Sequence, residues 1–69
     1  MANERQRAIG REVDERFPRG DLAQNELRMI YNIYRQIGVP QPEAEQRAVA
    51  DVRKEHPDFT PVRRPDLAA

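Results

Sequence analysis

Apolar residues are unevenly spread along the chain, and their spacing predicts three helices of different character. Ile9, Val13 and Phe17 recur every fourth position, a narrow stripe that predicts a helix over about 4–16 with Phe17 as its anchor. The middle segment is far richer. Leu22, Leu27, Met29, Ile30, Tyr31, Ile33, Tyr34 and Ile37 fall on a predicted helix over about 22–37. At about 100° per residue they cover an arc of roughly 200°, twice the stripe of an ordinary surface helix. The third segment, about 42–55, presents only small residues on its apolar side: Ala44, Ala48, Val49 and Val52. That face suits close approach to a larger helix, and the middle one is the candidate.

Polar punctuation agrees with these limits. Asn3 stands three residues before Gln6, and Asp21 three before Gln24, each in the arrangement of a capping box, with Asn25 as an alternative cap for the second helix. The PRGD stretch, Pro18 to Asp21, reads as a turn. Gly38 fits the left-handed position that ends a helix, and Pro40 prevents continuation. Pro42 fits the first turn of the third helix, and Glu43 and Glu45 favour its positive end. Arg53, Lys54 and His56 suit its negative end, and Pro57 follows. Prolines at 57, 61 and 65 then interrupt any regular pattern. The expectation is an all-α three-helix bundle over residues 1–59, with Phe59 tucked against it and 60–69 a flexible tail.

Composition narrows the classes of function. A chain of 69 residues forms one domain at most, and a domain of that size buries only about 60% of its unfolded surface. Cysteine is absent, so neither a disulfide framework nor a zinc ribbon supplements the core. Twelve Lys and Arg residues balance twelve Asp and Glu, which removes any net attraction to nucleic acid or to an anionic membrane. Lys54 is the one lysine; arginine, the better bidentate partner for carboxylates, supplies the rest. No apolar run approaches the roughly 20 residues of a membrane span, and the N-terminal segment lacks the apolar core of a signal peptide. A cytoplasmic location is expected, with no membrane partner.

Catalysis is the least favoured class. Serine and cysteine are absent, and Thr60, His56 and Lys54 each occur once, so one chain assembles no activated nucleophile with its base and orienting group. His56 reads as a partner of the helix dipole, and carboxylate pairs such as Asp51 with Glu55 as a solvated helical face. No metal site and no cofactor are expected: a lone histidine among scattered carboxylates lacks a ligand cluster, and Gly10, Gly20 and Gly38 are too isolated for a phosphate loop.

Two binding classes remain. The stretch from Ile37 to Val49 has the spacing of a helix-turn-helix corner, which would make the chain a nucleic-acid-binding regulator using its second and third helices. Gln46 and Arg47 would then read bases, and Arg53, Lys54, Arg63 and Arg64 would meet phosphates. Against this, Glu43 and Glu45 stand where a DNA reader places cations. The favoured class is a non-catalytic protein-interaction module, a small regulator or inhibitor of bacterial or phage type. Two short helices with narrow or small-residue stripes cannot cover a 200° arc. Met29, Tyr31, Ile33 and Ile37 are therefore expected to meet another protein or a second copy of the chain. At the end of the chain, Leu67, Ala68 and Ala69 resemble the C-terminal LAA of bacterial degradation tags, but three residues are an unspecific match and a frayed end is the favoured reading.

Overall fold

The computed structural model describes residues 3–64, which form three helices: α1 (Glu4–Arg16), α2 (Leu22–Gln36) and α3 (Gln41–Arg53). Local chemistry explains each boundary. The Asn3 side chain accepts from the Gln6 N–H at 2.7 Å and starts α1. That helix stops because Phe17 precedes Pro18, whose ring drives the residue before it into the extended conformation seen here, φ −131° and ψ 117°. Asp21 caps α2 through the Gln24 N–H at 3.0 Å. Asn25, the alternative cap, instead spans the preceding turn, accepting from the Gly20 N–H and donating to the Gly20 carbonyl, both at 3.1 Å.

The corner after α2 is a Schellman motif. Gly38 takes φ +99°, its N–H donates to the Arg35 carbonyl at 3.1 Å, and the Val39 N–H donates to the Tyr34 carbonyl at 3.0 Å. Helix α3 begins at Gln41, one residue earlier than Pro42 alone suggests, with Pro40 before it and no side-chain cap. It ends at Arg53, two residues short of the expected limit, and the chain turns through Glu55 and His56.

Helix α2 packs against both α1 and α3. The core joins the α1 stripe (Ile9, Val13, Phe17) and the small face of α3 (Ala44, Ala48, Val49, Val52) to Ala23, Leu27 and Tyr31 of α2. Ile30, Tyr34, Val39 and Phe59 pack around its margin. Phe17 and Tyr31 meet edge to face, ring centroids 5.2 Å apart at 76°, a favoured aromatic geometry. The Arg16 guanidinium lies 5.8 Å and 5.9 Å from the two ring centroids.

Residues 60–64, at the start of the expected flexible tail, make defined contacts with the bundle. The buried Gln24 amide donates to the Val62 carbonyl at 2.9 Å and accepts from the Val62 N–H at 3.0 Å, as a neighbouring strand would. Its second amide hydrogen goes to the Pro18 carbonyl at 3.0 Å. The Arg64 N–H then donates to the Arg16 carbonyl at 3.1 Å, satisfying an acceptor at the end of α1. Gly20 has a steric role here, since a Cβ on it would stand 2.9 Å from Gln24 Cγ. Leu67, Ala68 and Ala69 lie outside the described residues. No helix among the described residues is long and apolar enough to cross a membrane.

Candidate interaction face

Four large aliphatic side chains of α2 remain in solvent: Leu22, Met29, Ile33 and Ile37, exposed by 68, 58, 53 and 69%. At 3.6 residues per turn they fall within roughly 80° of one another, so they make one stripe along the helix and its C-cap. Ile30 and Tyr34 continue it towards the core on the α3 side. On the other side run the neutral amides Asn25, Asn32 and Gln36, and the Gln36 amide donates to the Asn32 Oδ1 at 3.1 Å. Glu26 is the one charged residue on this face.

The arginines of α2 lie on the side of the helix opposite the stripe, where they meet partners on α1. The Arg28 guanidinium donates to Asp14 at 2.6 Å and to the Phe17 carbonyl at 2.5 Å. Arg35 donates to both Glu12 oxygens, at 2.8 and 3.2 Å, and to the Val39 carbonyl at 2.9 Å. The Tyr31 hydroxyl donates to the same Glu12 carboxylate. Ion pairing to α1 thus ties the charged side of α2 to its neighbour.

Tyr31, grouped with Met29, Ile33 and Ile37 by the sequence reading, is fully buried in the core, not on the face. The reason is geometric: two residues along a helix is a rotation of about 200°, so Met29 and Tyr31 cannot both point outward. Leu22 takes its place. It lies seven residues before Met29, a spacing that returns to the same side of a helix and was the available signal.

Glu12 ties this arrangement to pH. Burial pushes its carboxyl up, but hydrogen bonds from Arg35, Tyr31 and Gln41 and the Arg35 charge more than offset this and hold it at about 2. Glu45 and Asp14 are also held below the ordinary carboxylate range, Glu45 by Arg63 and Arg16 against its burial and Asp14 chiefly by the hydrogen bond from Arg28. A depressed folded-state pKa means that the unfolded chain binds protons first. Stability is therefore intact above about pH 5 and falls as pH drops from 4.5 towards 2, by on the order of 2 kcal/mol for Glu12. Urea midpoints measured across that range test this; Glu12→Gln should start with a lower midpoint and a flatter pH profile.

The basic residues named as nucleic-acid contacts are bonded within the chain. Arg47 pairs with Glu43 and lies 5.9 Å from the Tyr34 ring centroid. Lys54 is 3.5 Å from Asp51. Arg53 donates to the Phe59 carbonyl at 3.0 Å, Arg63 pairs with Glu45, and Arg64 Nε donates to the Asp14 carbonyl at 2.5 Å. Gln46, Arg53 and Arg63 do share an open groove of about 390 Å³ between α3 and residues 60–63, together with Glu45. Arg47, Lys54 and Arg64 are not among its lining residues. Glu45 supplies the anion that Arg63 binds, and it also takes a 2.8 Å bond from Arg16. Comparison with protein-family models, with curated proteins and with solved structures finds no match to this chain.

Proposed function

We propose that the chain is a non-catalytic interaction module that docks onto another protein, or onto a second copy of itself, through the α2 face. The observation that carries this reading is the stripe of Leu22, Met29, Ile33 and Ile37, each more than half exposed, on a face with a single charge in a chain that is 35% charged. Contiguous apolar surface with charge depleted at its centre is the composition of protein interfaces. Small bacterial or phage regulators and inhibitors that act by occupying a larger protein would need no more than such a surface.

The nucleic-acid alternative has no comparable observation behind it, since its arginines are already bonded to carboxylates and carbonyls. Helix docking also requires no nucleophile, which accords with the residue inventory.

Met29→Glu and Ile33→Glu, made together, test the proposal. At positions this exposed the pair should leave the helical content and the melting temperature nearly unchanged. Association should weaken at least tenfold, because carboxylates would be desolvated at the centre of the contact. The readouts are sedimentation equilibrium at micromolar concentration and paired affinity capture from the native cell with wild-type and variant baits. A strictly monomeric wild type whose captured partners are retained in full by the variant would overturn the reading.

A further inference from the structure

The turn after α3 brings the only histidine back against α2. His56 is held through its backbone on both sides: its N–H donates to the Val52 carbonyl, and its carbonyl accepts from the Phe59 N–H, both at 2.9 Å. Its Nε2 lies 3.9 Å from Glu26 Oε1. A carboxylate oxygen of Glu55 completes a set of three ligand atoms, all within 4.8 Å of one another.

Charge accounting separates this cluster from the other carboxylates. Glu12, Glu26, Glu45 and Asp51 are the half-buried acidic residues among those described. Glu12 is met by Arg35 and Tyr31, Glu45 by Arg16 and Arg63, and Asp51 by Tyr34 and Lys54. Glu26, with its side chain only 24% exposed, has no hydrogen bond and no arginine or lysine partner among the described residues. Its neighbours are an imidazole beyond hydrogen-bond distance and a second carboxylate. The half-buried Glu26 carboxylate thus faces a ring nitrogen and the exposed Glu55 carboxylate, an arrangement of donor atoms that a bound cation would satisfy.

We propose that Glu26, Glu55 and His56 form a binding site for a first-row divalent metal ion, with Zn²⁺ as the preferred occupant. One imidazole with two carboxylates is a ligand set for borderline ions; Ca²⁺ and Mg²⁺ favour oxygen alone. The two carboxylates cancel the ion's charge, and three protein ligands leave the fourth tetrahedral position to water. Zinc–ligand bonds of about 2.0–2.2 Å place tetrahedral ligand atoms roughly 3.4 Å apart. The Glu26–His56 pair needs to close by about half an ångström to meet that, and the exposed Glu55 side chain is free to rotate inward. A bound ion would tie α2 to the chain beyond α3. Along the chain His56 is a lone histidine among scattered carboxylates; only the α2–α3 packing brings Glu26 to Glu55 and His56.

The test uses the full chain after chelation, titrated with Zn²⁺ by calorimetry and by melting temperature. Saturable binding at one ion per chain and a melting temperature that rises with Zn²⁺ are expected, with no such rise from Mg²⁺ or Ca²⁺ at the same concentration. His56→Ala and Glu26→Gln should each weaken Zn²⁺ at least tenfold while the far-ultraviolet circular dichroism stays unchanged; even outer-shell partners of a metal are worth about 10–100-fold. Absence of saturable binding, or a variant that binds as the wild type does, would overturn the site. Neither result bears on the α2 stripe, whose test is run with chelator present.

Discussion

Tyr31→Ala should leave the protein largely unfolded, the most severe outcome expected of a single side-chain truncation here. Tyr31 has no exposed surface, packs edge to face on Phe17 and anchors its hydroxyl on Glu12. Truncating a buried aromatic to alanine costs about 3–5 kcal/mol through lost burial and the cavity left behind. A single core in a chain this short rarely supplies more than about 3–5 kcal/mol of net stability, so most or all of it is removed. Tyr31→Phe isolates the polar part. It keeps the ring, and Glu12 keeps its two bonds from Arg35, so a loss of about 1 kcal/mol is expected. Urea and thermal denaturation followed by far-ultraviolet circular dichroism distinguish these outcomes. A cooperative Tyr31→Ala transition within 1 kcal/mol of wild type would contradict the core assignment and return Tyr31 to the surface.

Gln24→Ala should detach the segment after Phe59 and lower stability by about 2–4 kcal/mol. The side chain makes three hydrogen bonds, to Pro18 and to both backbone groups of Val62, while 2% exposed. At about 0.5–1.5 kcal/mol each, with the former partners returning to water, the sum falls in that range. Amide hydrogen exchange gives the decisive readout. The Val62 N–H loses its acceptor directly, and the Arg64 N–H, bonded to the Arg16 carbonyl, should lose protection with it because the segment leaves as a unit. Amides of Leu27 and Tyr31, deep in α2, should retain theirs relative to global unfolding. Unchanged protection at Val62 and Arg64 would show that the arginine contacts, Arg63 to Glu45 and Arg64 to Asp14, hold the segment without Gln24.

These two residues also mark the border of what was legible. Gln24 was readable as the third residue after an N-cap, and its backbone N–H does bond Asp21. Its side chain, however, reaches a segment distant along the chain, and no local rule connects a capping position to Val62. Tyr31 belonged to a broad apolar arc whose width was correct. Width alone does not say which edge faces inward, because that depends on where α1 and α3 dock.

The sequence by itself determined the helices, most of their ends and the character of their faces. Caps at Asn3 and Asp21, the stop at Gly38, and the stripes of α1 and α3 act over one or two turns, and chemistry of that range is written in neighbouring residues. It also determined that α2 carries more apolar surface than its two companions can cover, though not which residues of the arc stay exposed. Only the tertiary structure decided which carboxylates the α2 arginines meet, since Glu12 and Asp14 stand on another helix. The same holds for the docking of residues 60–64 and for the meeting of Glu26 with Glu55 and His56. Each requires two elements far apart in the chain to take a definite relative position, and that position comes from packing the whole core at once.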